Sequence, residues 1–240
     1  MTRKTVLITG ASAGIGAACA RMAAARGYDI VMTYNNDETS ANTVADAARA
    51  SGAQVQVVQC DVADPEAIDA LFSRIDRLDA LINNAGIVDQ AAKVTEFTHA
   101  RLRRMFDVNV IGAMLVAKEA VLRMAEGGAI INISSVAAKL GSGGQYVDYA
   151  ASKAAIDTFN KGLSDEVAAQ GIRVVAVRPG IIDTEIHAKG GQPGRADKLG
   201  PTVPIGRKGT PDEVAETVLW LMSDAASYIT GTTIDVSGGR

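Results

Sequence analysis

The chain has 240 residues, 48% of them hydrophobic, and its 24 basic and 27 acidic residues give a formal net charge of −3 at pH 7. A chain of this length and apolar content can bury a substantial core, so we expect a globular protein. Near-balanced charge excludes a general affinity for nucleic acid. The densest basic group is Arg101, Arg103 and Arg104. It follows a helical pattern without interleaved aromatic residues and indicates a solvated face or a subunit contact.

Cysteine and histidine usage excludes further classes. Cys19 and Cys60 each lie in an apolar periodic segment, which is typical of buried free thiols in a reducing cytoplasm. The apolar run at residues 6–8 is too short for a signal peptide, and we expect no membrane-spanning segment. His99 and His187 lack a second ligand at metal spacing, so we expect no metal. The prediction is a cytoplasmic protein.

Seven short runs rich in Val and Ile alternate with stretches of helical periodicity. The runs are continuously apolar, which is typical of strands covered on both faces of a parallel sheet. They occupy residues 5–9, 28–33, 54–59, 80–83, 129–134, 173–177 and 233–236. The pattern predicts a single α/β domain over residues 1–240, a doubly wound parallel seven-stranded sheet of the Rossmann type with helices on both faces.

Three glycines follow the first predicted strand. Gly10, Gly14 and Gly16 have the spacing Gly-x-x-x-Gly-x-Gly, which differs from the general dinucleotide fingerprint. Without a Cβ, the backbone can approach a pyrophosphate closely, and the N-terminus of the next helix offers N–H donors. The position directly after a strand favours a phosphate-binding turn over a purely structural one.

Helix starts and one long irregular segment organise the rest of the chain. Asp64 before Pro65 indicates a cap, and the segment from Thr210 to Glu213 combines a cap, an N1 proline and a capping-box glutamate. Between residues 181 and 210 periodicity vanishes, while glycine and proline accumulate. Too little chain follows for a second domain. We therefore predict a flexible substrate loop at about residues 181–210.

Tyr149 and Lys153 are four residues apart, so they share one face of a helix. Tyrosine loses its proton near pH ~10, and a nearby cation lets it act as an acid or base closer to neutrality. The pair alone is a weak signal. A Ser134-Ser135 pair upstream and the glycine turn give it weight.

Together these motifs resemble the short-chain dehydrogenase/reductase family, in matching order and over essentially the whole chain. The resemblance rests on the segment from Thr9 to Gly16, Asn83-Asn84-Ala85-Gly86, Asn109, Ser135, Tyr149-x-x-x-Lys153, Arg178-Pro179-Gly180, Tyr228-Ile229-Thr230-Gly231 and Ser237-Gly238-Gly239. Family members of this look include 3-oxoacyl carrier-protein reductases and sugar dehydrogenases.

The resemblance implies four catalytic residues. Tyr149 would be the general acid in reduction and the general base in oxidation, and Ser135 would hydrogen-bond the substrate oxygen. Lys153 would lower the pKa of the tyrosine and bind the nicotinamide ribose, and Asn109 would hold a water in the proton relay. Hydride transfer to a carbonyl builds negative charge on oxygen, so a proton donor and a second hydrogen-bond donor must converge there.

The resemblance also implies a dinucleotide site, and the end of the second strand bears on cofactor choice. Asp37 lies about where an acid would bind the ribose of NAD, but it also suits the start of the next helix. In the family that acid occupies the position of Tyr34, so its absence favours NADP over NAD. The implied contacts are Gly10, Ser12, Gly14, Ile15, Gly16, Tyr34, Asn35, Asn36, Asp61, Val62, Asn83, Ala85, Gly86, Tyr149, Lys153, Pro179, Gly180, Ile182 and Thr184.

One departure from the family pattern concerns spacing, because the distance from Ser135 to Tyr149 is one residue longer than in many relatives. Tyr146 is not a substitute acid, since Ala150 occupies its i+4 position. We expect the extra residue to lengthen the loop at residues 139–147, beside the substrate pocket.

We expect an NAD(P)-dependent oxidoreductase that interconverts a secondary alcohol and a ketone. Glu126 and Gln170 stand where carrier-protein reductases usually have basic residues, which favours a small free substrate. The alternatives are a 3-oxoacyl carrier-protein reductase and a catalytically silent dinucleotide sensor. We also expect a homo-oligomer, a tetramer or dimer paired through helices near residues 99–124 and 148–169.

Overall fold

The computed structural model describes residues 3–240, apart from the side chains of His187 and Lys189. Within this range seven strands form one sheet in the order β3-β2-β1-β4-β5-β6-β7. The strands are β1 Lys4–Ile8, β2 Tyr28–Tyr34, β3 Val55–Gln59, β4 Leu78–Asn83, β5 Met124–Ile133, β6 Arg173–Pro179 and β7 Thr233–Val236. All neighbours pair in parallel. The predicted doubly wound α/β sheet is confirmed, and its winding direction reverses between β1 and β4.

Ten α-helices lie within the described residues, and none of them is long and apolar enough to cross a membrane. A π-helical stretch, Asp107–Gly112, joins α4 to α5. The helices are α1 Gly14–Ala25, α2 Glu38–Ala50, α3 Pro65–Phe72, α4 His99–Phe106, α5 Ala113–Val121, α6 Ala137–Leu140, α7 Val147–Val167, α8 Ile186–Lys189, α9 Arg195–Leu199 and α10 Pro211–Met222.

Two apolar cores cover the two faces of the sheet. Successive side chains of a strand point to opposite faces. On β1, Val6 and Ile8 therefore pack with α1, α2 and α10, and Leu7 packs with α3, α5 and α7. All three side chains are fully buried. Coverage on both faces explains why the strand sequences are continuously apolar.

Three predicted helix starts are present as caps. The Asp64 carboxylate accepts a hydrogen bond from the Glu66 N–H at 3.0 Å, and Asp37 caps α2 in the same way. At α10 the Thr210 hydroxyl accepts from the Glu213 N–H at 3.2 Å, while the Glu213 carboxylate accepts from the Thr210 N–H at 2.8 Å. Each cap stabilises its helix by about 1 kcal/mol.

The segment at residues 181–210, here called the flap, contains more regular structure than its sequence suggests. It holds α8, α9 and a 3₁₀ turn at Gly200–Thr202. A Cβ on Gly190 would lie 2.8 Å from Val88 Cγ1, so the flap packs closely on the loop after β4. The flexibility of the flap stays a prediction.

Candidate active site

A cleft of about 1020 Å³ opens at the C-terminal ends of the strands, across the point where the winding reverses. Open α/β sheets bind their ligands at this edge. Most of the predicted cofactor residues line the cleft: Gly10, Ser12, Gly14, Ile15, Tyr34, Asn35, Asn36, Asp61, Val62, Ala85, Gly86, Tyr149, Lys153, Pro179, Gly180, Ile182 and Thr184.

Two of the predicted cofactor residues, Gly16 and Asn83, lie behind the cleft wall instead. A Cβ on Gly16 would lie 2.5 Å from the Gly10 carbonyl oxygen, so this glycine permits close packing of α1 on the turn. The buried Asn83 amide donates to the Ala113 carbonyl at 2.8 Å and to Asn132 Oδ1 at 3.2 Å. Neither residue lines the cleft, because Gly16 is packed against the turn and the Asn83 side chain is engaged in internal hydrogen bonds, so direct cofactor contact by these two residues stays a prediction.

The glycine turn has a geometry that suits a pyrophosphate. Gly10 and Gly14 have φ values of 64° and 56°, in the left-handed region that favours glycine. Asn84 Nδ2 holds the turn by donating to the Thr9 and Gly10 carbonyl oxygens at 2.9 and 3.0 Å. Ala13 precedes α1 and provides no side-chain cap, which leaves the first N–H groups of the helix for an anion. The residues present therefore fit a dinucleotide.

The end of β2 presents neutral polar groups to the cleft. Tyr34 is the last residue of the strand, and burial together with the adjacent Glu38 carboxylate raises the pKa of its phenol. Asn35 and Asn36 follow as exposed cleft residues, and Gln59 Nε2 donates to the Asn35 carbonyl oxygen at 2.9 Å. Asp37 lines the cleft as well, and its carboxylate caps α2 as predicted.

Ser135, Tyr149 and Lys153 lie together on one wall of the cleft. Ser135 follows β5, and the other two residues project from successive turns of α7. Lys153 Nζ donates to the Ile133 carbonyl oxygen at 2.8 Å and lies 5.9 Å from the centroid of the Tyr149 ring. The structure thus brings together three of the four predicted catalytic residues.

The ionisation of this group is set mainly by burial. Burial raises the pKa of the Tyr149 phenol, and the neighbouring Ser135 hydroxyl opposes that shift. Burial lowers the pKa of Lys153 to about 8, and the Asp157 carboxylate opposes that shift. Tyr149 is therefore protonated near neutral pH, as a proton donor must be. The Lys153 ammonium donates to the Ile133 carbonyl and lies 5.9 Å from the centroid of the Tyr149 ring, so the expected lowering of the Tyr149 pKa by Lys153 stays a prediction.

Asn109, the fourth predicted catalytic residue, lies in the π-helical stretch and is 1% exposed. Its Oδ1 accepts from the Ile87 N–H at 2.8 Å, and its Nδ2 donates to the Ile87 carbonyl at 2.9 Å. A Cβ on Gly86 would lie 3.3 Å from both Asn109 Oδ1 and Lys153 Nζ. The side chain thus fixes the loop after β4, and its role in a water relay stays a prediction.

Several residues line the cleft that the sequence predicts only as parts of loops or not at all. The loop at residues 139–147 borders the cleft as predicted. Tyr146 is 7% exposed, and the guanidinium carbon of Arg195 lies 5.1 Å from its ring centroid. The added lining residues include Val88, Asp89, Gln145, Tyr146, Ile186 and Arg195. A lone arginine in a glycine-rich and proline-rich segment offers no periodicity by which to place it.

The basic group on α4 does not form one solvated face. Arg101 is largely buried and donates from Nε to Asp148 Oδ2 at 2.7 Å. Arg103 is exposed and pairs with Asp107 at 3.4 Å, and the exposed Arg104 lines the cleft. The expectation of a solvated face is therefore wrong for Arg101, because the acid next to Tyr149 requires a buried partner, whereas a subunit contact through this basic group stays a prediction.

The two cysteines lie in the interior of the protein. Cys19 and Cys60 are free and buried, and burial raises their pKa values to about 12 and about 11. In the part of the chain that the structure describes, no group of three or more His, Cys, Asp or Glu residues could hold a metal ion. His99 is exposed, and the side chain of His187 lies outside the described residues.

Comparisons with known proteins agree with this geometry. The family model described as Enoyl-(Acyl carrier protein) reductase matches residues 10–240. Uncharacterized oxidoreductase YgfF of Escherichia coli is 48% identical over 243 residues, which cover 98% of each chain. The 3-oxoacyl-(acyl-carrier-protein) reductase of Synechocystis is 36% identical over 249 residues, covering 100% of this chain and 97% of the relative.

A solved structure extends the likeness to three dimensions. The short chain dehydrogenase from Burkholderia cenocepacia, crystallised in complex with NADP, matches with a TM-score of 0.91 and 32% identity. The match covers 98% of this chain and 97% of that one. With the parallel sheet, the glycine turn and the cleft in place, the chain belongs to the short-chain dehydrogenase/reductase family and is an NAD(P)-dependent enzyme.

Proposed function

We propose that the protein interconverts a secondary alcohol and a ketone in the cytoplasm, with NADP as its preferred cofactor. The observation that carries this proposal is the convergence of Ser135, Tyr149 and Lys153 on one wall of the cleft. A nicotinamide dinucleotide supplies or accepts hydride when it is bound, and the cleft residues described above would hold it.

In the direction of reduction, Tyr149 donates its phenolic proton to the carbonyl oxygen, where negative charge develops. The Ser135 hydroxyl donates a second hydrogen bond to the same oxygen. In the direction of oxidation, the Tyr149 phenolate accepts the proton of the alcohol, and the Lys153 ammonium stabilises that phenolate. Asn109 holds a water on the path by which the phenol exchanges protons with solvent.

The preference for NADP rests on the end of β2. Tyr34, Asn35 and Asn36 carry no carboxylate, so these three side chains do not repel a 2′-phosphate. Two acids lie next to them: the Asp37 carboxylate accepts the N–H of Ser40 in the α2 cap, and the Glu38 carboxylate lies beside the Tyr34 phenol. The NADP bound in the Burkholderia cenocepacia protein supports this preference.

A small free substrate is favoured over one attached to a carrier protein, since Glu126 and Gln170 provide no positive charge at the positions that usually recognise an acidic carrier. The Synechocystis relative is named as a 3-oxoacyl-(acyl-carrier-protein) reductase, so 3-oxoacyl thioesters are the alternative substrate class. A silent dinucleotide sensor would have no need of the complete Ser135, Tyr149 and Lys153 group.

The test is a substrate panel followed by nicotinamide absorbance. Ketones, sugars and acyl thioesters are each assayed with both cofactors, and binding of NADP is measured separately by calorimetry. Turnover of a free ketone that is faster with NADPH supports the proposal. Tight binding of NADP without turnover of any class would contradict it and favour the sensor.

A further inference from the structure

We infer that Arg195 binds a carboxylate of the substrate, so that the natural substrates are small keto acids and the corresponding hydroxy acids. This inference rests on the proposed function and deepens it by naming the substrate class. Arg195 is the first residue of α9 in the flap, and its side chain lines the same cleft as Tyr146 and Tyr149.

Neutral groups hold the Arg195 guanidinium in place. Its Nη1 donates to Gln192 Oε1 at 2.6 Å, and its Nη2 donates to Gln145 Oε1 at 2.7 Å. The guanidinium also lies over the ring of Tyr146, which restricts its plane. These contacts fix the orientation of the group, but amide oxygens and a ring do not neutralise its charge. Because arginine has about five N–H donors, donors remain for a ligand.

Three acids near Arg195 in the sequence or beside its contacts are paired with other cations, and Asp89 and Glu185 also line the cleft. Asp197 accepts from Lys208, which also pairs with Asp183 at 2.9 Å. Asp148, two residues beyond Tyr146, pairs with the buried Arg101. Among the described residues no carboxylate forms an ion pair with Arg195. A planar guanidinium that is already oriented and lacks a counter-charge matches a carboxylate, which can accept two parallel hydrogen bonds.

Arg195 and the acid/base residue meet near the start of α7. Tyr146, under the guanidinium, is the residue before the helix, and Tyr149 lies in its first turn. Because Arg195 and Tyr149 line one cleft, we expect one substrate molecule to place its carbonyl oxygen at Tyr149 and its carboxylate at Arg195. A neutral ketone of the same size would lose the second contact.

The test compares a keto acid with its uncharged ester. We would measure kcat/KM with NADPH for 4-oxocyclohexanecarboxylate and for its methyl ester in the wild type and in Arg195→Gln. We expect Arg195→Gln to lower kcat/KM for the acid by about 10- to 100-fold and to change it for the ester by less than about threefold, since only the acid loses a charge-assisted hydrogen bond. Arg195→Lys keeps the charge and should restore part of the loss.

Two further variants distinguish anion binding by Arg195 from a structural role in which Arg195 only holds the flap against the cleft wall. Gln145→Ala removes one contact that orients the guanidinium and leaves its charge in place, so it should lower the acid-to-ester ratio by less than Arg195→Gln does. Arg207→Gln is the matched control, because Arg207 is exposed and pairs with Glu213 outside the cleft. It should leave both substrates unaffected.

Three results would overturn the inference. The first is a wild type that does not prefer the acid to its ester. The second is an acid preference that survives Arg195→Gln, which would assign it to another cation such as Arg240. The third is an equal loss for both substrates, which would mean that Arg195 only fastens the flap.

Calorimetric binding of 4-oxocyclohexanecarboxylate, with and without NADP, keeps this test independent of turnover. If no ketone is reduced, the proposed function fails. Binding that is weakened by Arg195→Gln and unchanged by Arg207→Gln would still support the anion site, whereas absence of binding to the wild type would overturn it.

Discussion

Lys153 keeps an ionisable ammonium in a position where burial disfavours its charge. The side chain is 4% exposed, and burial lowers its pKa to about 8 from an ordinary value of 10.5. Its charged form is supported by the Ile133 carbonyl oxygen and by Asp157, one helical turn further along α7. Burial of this charge therefore lowers the stability of the free protein, while the ammonium lies 5.9 Å from the centroid of the Tyr149 ring.

The unfavourable burial of the Lys153 charge gives the first prediction. Below pH 8 Lys153 is charged in both the folded and the unfolded state, so the whole penalty is present. Between about pH 8 and 10.5 the folded state binds fewer protons than the unfolded state, so stability rises with pH. Relative to Lys153→Met, the free energy of unfolding should rise by about 1.4 kcal/mol for each unit of pKa difference. Urea unfolding of the free proteins at several pH values measures this. A difference independent of pH would contradict it.

The second prediction concerns Tyr34. Tyr34→Asp places a carboxylate at the end of β2, which can accept hydrogen bonds from the ribose hydroxyls of NADH and repels the phosphate of NADPH. We expect the wild type to prefer NADPH modestly, because it has no arginine at this site, and the variant to prefer NADH. The measurement is kcat/KM for both cofactors in both proteins. A strong preference of the wild type for NADH would assign cofactor selection to Asp37.

At the scale of single residues, what the sequence predicts depends on whether a side chain acts locally. Caps such as Asp64 and Thr210 were predictable, because the atoms they bind lie within three residues. The locations of Gly16 and Asn83 were not, since the contacts that remove them from the cleft come from residues far along the chain. The position of Arg195 in the cleft was not predictable for the same reason, because its partner Gln145 is 50 residues away.

At the scale of elements, long apolar strands were predicted well and short or polar elements poorly. The prediction placed the start of β5 at residue 129, but the strand begins at Met124, which pairs with Leu78 before a register shift, and the exposed residues 125–127 that follow show no apolar pattern. The helices α8 and α9 have four and five residues, too few to show helical periodicity. The sequence of the π-helical stretch also does not distinguish it from an ordinary α-helix.

The third prediction concerns the link between α4 and α7. The Asp148 carboxylate is fully buried and binds Arg101, which also donates to the Gln90 carbonyl at 2.8 Å. Asp148→Ala leaves the arginine without its partner and should lower the free energy of unfolding by about 3–5 kcal/mol. The double variant Arg101→Met with Asp148→Leu should recover most of that loss. Urea unfolding of the single and double variants tests this, and a double variant no more stable than the single one would contradict it.

At the scale of the whole molecule, the fourth prediction concerns assembly. We propose a homo-oligomer, a tetramer or dimer, that pairs through α4, α5 and α7. Ile111 is 44% exposed and Leu122 is 69% exposed, so apolar area remains on this side of the subunit. Symmetric pairing of such faces is the common arrangement. Sedimentation at micromolar concentration should show a species larger than a monomer, and a stable monomer would contradict the proposal.

The parallel sheet explains why residues from distant parts of the sequence form one site. Every strand delivers its following loop to the same edge, so the glycine turn after β1, the loop after β4 and Ser135 after β5 lie around one cleft. The helix α7 then brings Tyr149 and Lys153 to that cleft from the side. The central claim is that this arrangement makes Tyr149 the proton donor for a carbonyl.

The most direct test of that claim is Tyr149→Phe, which keeps the ring and removes only the transferable proton. We predict that kcat for ketone reduction falls by about 10²- to 10⁴-fold, the usual contribution of a general acid. The Kd for NADP, measured by calorimetry, should stay nearly unchanged. Tyr228→Phe, at a fully exposed tyrosine, is the control and should retain wild-type kcat. Retained turnover in Tyr149→Phe, with the cofactor still bound, would contradict the account.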